Sequence, residues 1–94
     1  MGYEWSMKFK NRTPDEAISL IQEHFLHKAQ NFEILKEGIN LLPDVDKMPY
    51  MHFKPYDGGL YCIGYLNFYE SENTIEELMQ LLKIKGFDCT VDEL

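Results

Sequence analysis

Twice along this chain an alternating stretch runs into helix-start chemistry, and that pairing restricts the fold more than any other feature. Tyr3, Trp5, Met7 and Phe9 alternate with Glu4, Ser6, Lys8 and Lys10, so a strand over residues 3–10 carries its large apolar groups on one face. Thr13-Pro14-Asp15-Glu16 follows, with a capping threonine, a proline suited to the first helical position and a glutamate at the capping-box position. Ile18, Ile21, Phe25, Ala29 and Phe32 then fall on one stripe. The spacing predicts a helix over residues 14–31, about 27 Å long.

The pattern returns in the second half. Tyr50 to Lys54 and Leu60 to Tyr69 read as strands of a hairpin, with Pro55-Tyr56-Asp57-Gly58-Gly59 as the turn. Asn73 and Thr74 both offer caps, with Glu76 and Glu77 at the matching box positions. Ile75, Leu78, Met79 and Leu82 form a stripe, and Lys83, Lys85 and Gly86 mark its end, which predicts a helix over residues 74–85. Phe87, Cys89 and Val91 alternate with Asp88, Thr90 and Asp92 in a last strand over residues 87–92. In residues 33–47, Ile34-Leu35 suit a short strand, Gly38 breaks any long helix, Ile39-Asn40-Leu41-Leu42 suit either a strand or one helical turn, and Pro43-Asp44-Val45-Asp46 form a turn, with no period long enough to decide.

The order β-α-β-β-α-β predicts an α+β fold of ferredoxin-like arrangement. It is a four-stranded antiparallel sheet in the order 4-1-3-2, with both helices on one face. At 94 residues and 11.1 kDa, residues 1–94 form a single domain.

Charge narrows the partners. The net charge of −7 opposes binding to bare nucleic acid or to anionic lipid, both of which need a positive footprint. Residues 1–47 carry a net −2 and residues 48–94 a net −5, with Glu70, Glu72, Glu76 and Glu77 as the tightest acidic group. The apolar runs are too short to span a membrane, and the first residues lack the layout of a signal peptide. Cys62 and Cys89 fall on inward positions of strands separated by the first strand. Two strand spacings are ~9.6 Å, beyond the ~7 Å that a disulfide allows. Two buried free thiols are expected, and with them a reducing, cytoplasmic setting.

Motifs for chemistry are thin. His24 and His27 are three apart on the first helix, but a metal would need further ligands, so they read as solvent-facing residues of its polar flank and no metal is assigned. The four glutamates suit the start of the second helix, where the dipole favours negative charge, and no pocket marks one of them as an acid or base. The chain reads as a non-enzyme without a cofactor.

The aromatic stripe is more informative. Leu60, Cys62, Gly64, Leu66 and Phe68 make the more apolar face of their strand, which sends Tyr61, Ile63, Tyr65, Asn67 and Tyr69 to the open side. Met51 and Phe53 point inward on the neighbouring strand, which sends Tyr50 and His52 to that open side as well. RNA-recognition modules stack bases on such a face, but they ring their aromatics with Lys and Arg, whereas only Lys8, Lys10 and Lys54 lie near here. Three alternatives remain: residues 33–47 cover the face, it binds a protein, or paired subunits enclose a small molecule there. The leading expectation is an inhibitor, immunity or counter-defence protein docking on a basic nuclease, toxin or nucleic-acid-binding partner. Tyr50, His52, Tyr61 and Tyr65 serve as anchors, and Glu70, Glu72, Glu76 and Glu77 steer. The alternative is a ferredoxin-like regulatory module that dimerises and binds a small ligand.

Overall fold

The computed structural model describes residues 3–28, 30–42, 51–65 and 68–94, apart from the side chain of Phe68. Two helices pack on a six-stranded antiparallel sheet. The strands are β1 (Tyr3–Phe9), β2 (Phe32–Leu35), β3 (Gly38–Leu41), β4 (Met51–Tyr56), β5 (Gly59–Gly64) and β6 (Cys89–Glu93). The helices are α1 (Pro14–His27) and α2 (Phe68–Ile84). The sheet order is β2-β3-β4-β5-β1-β6, so the four expected strands stand in their expected order and a hairpin widens the sheet by two.

That hairpin corrects the four-stranded expectation and, for residues 33–41, the alternative that they cover the sheet; residues 43–47 lie outside the described residues. Residues 32–41 extend the sheet sideways instead of folding over it. Gly38, which in sequence only breaks a helix, is what lets β3 approach β4. Its φ is +137°, and a Cβ there would sit 2.0 Å from the Phe53 carbonyl oxygen. Gln30 closes the base of the hairpin, its side-chain Nε2 donating to the carbonyls of Asn31 and Leu42 at 3.0 Å each.

α1 begins as the capping chemistry dictates, with Thr13 Oγ1 accepting from the Glu16 N–H at 3.3 Å. It ends a turn earlier than residue 31. The Gln30 N–H reaches five residues back to the Phe25 carbonyl, and the Asn31 carbonyl already accepts from the Leu42 N–H. α2 differs at its other end. It starts at Phe68, not residue 74, because the buried stripe Ile75, Leu78 and Leu82 continues back through Ser71. Thr74 does not cap; its hydroxyl donates to the Glu70 carbonyl at 3.0 Å inside the helix. The expected strand over residues 60–69 correspondingly stops at Gly64, whose missing side chain leaves room for Ser71.

The hairpin turn between β4 and β5 is tighter than the five-residue reading. Asp57 and Gly58 alone form it, at φ of 50° and 74°, the positive pair that a two-residue turn between twisted strands requires. On the helix-covered face Trp5, Met7, Phe53, Leu60, Cys62 and Cys89 meet Ile21, Phe25, Ile75, Leu78 and Leu82 in one core. Phe9 and Ile18, expected in that core, are half-buried at its margin, and Leu66 lies outside the described residues. β1 separates the two cysteines, with Trp5 opposite Cys62 and Phe9 opposite Cys89, and both thiols are free and buried.

Candidate functional site

Both helices lie on one side of the sheet, so the alternate residues of the strands form a second face, away from the helices. Register fixes its rows. Glu33, Asn40, His52, Ile63 and Glu4 follow one another across β2, β3, β4, β5 and β1. Lys54, Tyr61, Ser6 and Asp92 form the next row across β4, β5, β1 and β6. Among the described residues no element crosses these rows.

The polar side chains of this face are tied together. Asn40 Nδ2 donates to Glu33 Oε1 at 2.9 Å, which leaves Asn40 Oδ1 facing His52 Nδ1 at 2.7 Å. The Nδ1 proton therefore points to the amide, and the row holds the imidazole in one orientation. Burial, and then the positive charge of Lys54, holds the His52 imidazole below its ordinary pKa. The Tyr61 hydroxyl donates to Glu4 Oε1. That hydrogen bond, with burial and the charge of Glu4 behind it, pushes the phenol up to about 12, so Tyr61 is a neutral donor. Lys54 Nζ lies 5.5 Å from the centroid of the Tyr61 ring, and the Tyr56 ring meets Tyr61 edge-on at 6.3 Å.

The expected anchors divide. His52 and Tyr61 share the open face, and Tyr65 directly follows the end of β5 and is exposed. Tyr50 lies outside the described residues. Tyr69, placed on the same strand by alternation, instead stands on the first turn of α2 and is 73% exposed. Glu70, Glu72, Glu76 and Glu77 also belong to α2, on the helical layer behind the sheet, and not beside the tyrosines.

Glu77 has structural work of its own. It accepts from His24 Nε2 at 2.5 Å and from Lys28 Nζ at 2.9 Å, joining α2 to α1. Burial pushes its carboxyl up, but the hydrogen bonds from His24 and Lys28, with their charge, outweigh that and hold it below the usual range. His24 is thus half-buried and committed to a carboxylate, a correction to its reading as solvent-facing; His27 is exposed. Among the described residues no group of three His, Cys, Asp or Glu side chains is placed to hold a metal ion. Burial pushes both thiols up, away from a reactive thiolate.

Lys54 is placed near this face by the sequence, whereas Asn40, Glu33 and Tyr56 are not marked there as members of it. The one available signal was Asn40 between Ile39 and Leu41, a polar residue in an apolar triplet, which is the mark of a strand with one wet face. Among the described residues no helix is long and apolar enough to cross a membrane. Comparisons with protein-family models, with curated proteins and with solved structures return no match to this chain.

Proposed function

We propose that this chain is a small, acidic, non-enzymatic binding module that docks on a basic protein through the open face of its sheet. The partner is a nuclease, a toxin or a nucleic-acid-binding protein, and the chain acts on it as an inhibitor, an immunity protein or a counter-defence protein. The scaffold is a ferredoxin-like core extended by the β2–β3 hairpin, working in a reducing compartment such as the cytoplasm. The supporting observation is the row Glu33, Asn40, His52 beside Tyr61 and Glu4. Side chains already held by hydrogen bonds lose little freedom on binding, and tyrosine is a frequent hot spot. The charge of −7 speeds encounter with a basic surface.

The test begins with a photo-crosslinker at Ile63 on the open face and another at Leu26 on the helical layer. Capture of one basic protein from Ile63 alone supports the reading. Kinetics with that protein then separate the roles. Tyr65→Ala or Tyr61→Ala should speed dissociation, costing about 2 kcal/mol or more for a hot-spot residue. Charge reversal at Glu72 with Glu76 should slow association and weaken its salt dependence. Capture only from Leu26, or tyrosine variants with unchanged residence, would sink the proposal.

A second reading, side-by-side pairing of two copies with a small ligand at their boundary, is favoured by β2. This edge strand leaves Ile34 66% exposed on the helix-facing side, beyond the reach of α1. Sedimentation at micromolar concentration distinguishes a dimer from a monomer.

A further inference from the structure

We infer that the open face carries a binding groove for a small planar anion, an aromatic ring bearing one carboxylate or phosphate, independent of any docked protein. The groove is lined by Lys54, Tyr56, Tyr61 and Leu94 and encloses about 340 Å³. Small-molecule sites begin at about 300 Å³, so the space suits a single ring with one substituent and not a larger cofactor.

The argument for an anion starts from how the cations are used. Lys8 holds Asp57 at 2.7 Å, Lys28 holds Glu77 at 2.9 Å and Arg12 reaches Glu16 at 3.8 Å. Lys54 stands outside these pairs, as do Lys10, Lys36, Lys83 and Lys85 among the described residues. Lys54 is the cation that lines the groove, and its ammonium rests over the face of Tyr61, 5.5 Å from the ring centroid. Of the acids nearby, Asp57 is held by Lys8 and Glu4 by the Tyr61 hydroxyl, and Asp92 stands two strands beyond Tyr61 in the row of Lys54.

The argument for a ring comes from the walls. Tyr56 is 60% exposed and its ring stands at 69° to that of Tyr61, so the two aromatic walls of the groove meet at an angle that a flat guest can lie against. Leu94 supplies an apolar wall. An anion entering beside Lys54 keeps the ammonium paired while the ring excludes water from the pair, which strengthens a contact that is weak in the open. The same charge of −7 that repels a phosphate chain costs a singly charged guest far less, so the site selects small anions over polyanions.

Nuclear magnetic resonance titration of the whole chain tests this with 4-hydroxybenzoate and phenyl phosphate as ring-bearing anions. The neutral 4-hydroxybenzamide is the control for the charge, and acetate and inorganic phosphate are the controls for the ring. Saturable shifts at Lys54, Tyr56 and Tyr61 are expected with a ring-bearing anion, and whichever of the two binds more tightly identifies the anionic group. The neutral amide and the ringless anions should bind roughly tenfold more weakly or worse. Lys54→Gln and Tyr56→Ala should each weaken binding by a similar factor, with resonance dispersion reporting that both still fold. Failure of both ring-bearing anions to saturate at millimolar concentration, equal binding by the neutral amide, or full affinity in Lys54→Gln would overturn the proposal. Because no protein partner is present, its failure leaves the docking reading untouched, and the reverse also holds.

Discussion

The two faces of the sheet are made by alternate residues of the same strands, yet they are held by different forces. On the inner face Met7, Phe53, Leu60 and Cys62 are wholly removed from solvent. Their contribution is area, at about 1.5–3 kcal/mol for each large side chain buried, and it needs no particular direction. On the outer face Ser6, His52, Tyr61 and Ile63 are half-buried, and the order comes from directed contacts such as Asn40 to His52 and Tyr61 to Glu4. A net hydrogen bond is worth only about 0.5–1.5 kcal/mol. The difference teaches that stability resides on one side of each strand, and that the proposed recognition would fall to the other. Changes on the two sides should therefore move different observables.

The largest test of that contrast is Phe25→Ala. Phe25 is buried between α1 and the sheet, with its ring 6.5 Å from that of Phe53. Its loss should cost about 3–5 kcal/mol in urea unfolding, whereas Tyr61→Phe on the outer face should cost about 1 kcal/mol or less. Equal costs would erase the distinction between the faces.

Gly64→Ala sharpens the same point at the boundary of helix and sheet. A Cβ there would stand 2.1 Å from Ser71 Oγ and 2.7 Å from Ser71 Cβ, so α2 must move away or Ser71 must turn into a filled core. We expect a loss of about 1–3 kcal/mol, measured by thermal unfolding. The double variant with Ser71→Gly should recover part of it. No recovery would place the strain elsewhere.

How far the sequence reveals these faces differs element by element. Trp5, Met7 and Leu60, Cys62 alternate cleanly with polar or tyrosine residues, so the side each strand buries is legible from period alone. The β2–β3 hairpin is not, because four-residue strands are too short for a period and the turn Lys36-Glu37 carries no turn signal. The start of α2 misleads for a different reason. Asn73 and Thr74 have the chemistry of caps, but burial of the stripe through Ser71 outweighs a local hydrogen bond. The polar network of the open face depends on cross-strand register, and register between β3 and β4 follows from the contact that Gly38 permits. A run of residues holds no record of which ones lie opposite.

A smaller effect belongs to Glu77, the carboxylate that binds the helices to each other and not the sheet to a partner. Its folded pKa is depressed, so its contribution is present above the unfolded value of about 4.3 and is lost as pH falls through the folded value. The group is partly exposed and solvent screens it, so Glu77→Gln should cost only about 0.2–1 kcal/mol at neutral pH. The gap between the two proteins should close in acid. A gap that persists at low pH would mean that shape, not charge, couples α1 to α2.

The smallest effect is read at a single ring, and it tests whether the outer face is ordered by charge as well as by hydrogen bonds. His52 loses solvation and faces the positive charge of Lys54, so its imidazole should titrate below the ordinary value of about 6.5. The unfolded chain then takes up this proton more readily than the native one. The stability tied to His52 is full above that ordinary value and declines as pH falls toward the folded midpoint. Lys54→Gln removes the repulsion but not the burial, so the midpoint should rise part of the way back, followed by the ring proton resonances. Asn40→Ala should act in the opposite direction. The Nδ1–H to Asn40 Oδ1 hydrogen bond strengthens when the ring is charged, so losing it makes protonation harder still. Opposite shifts from two neighbours of one ring would demonstrate a directed network. A midpoint at or above the ordinary value, or two variants that shift together, would reduce the outer face to a set of independent surface side chains.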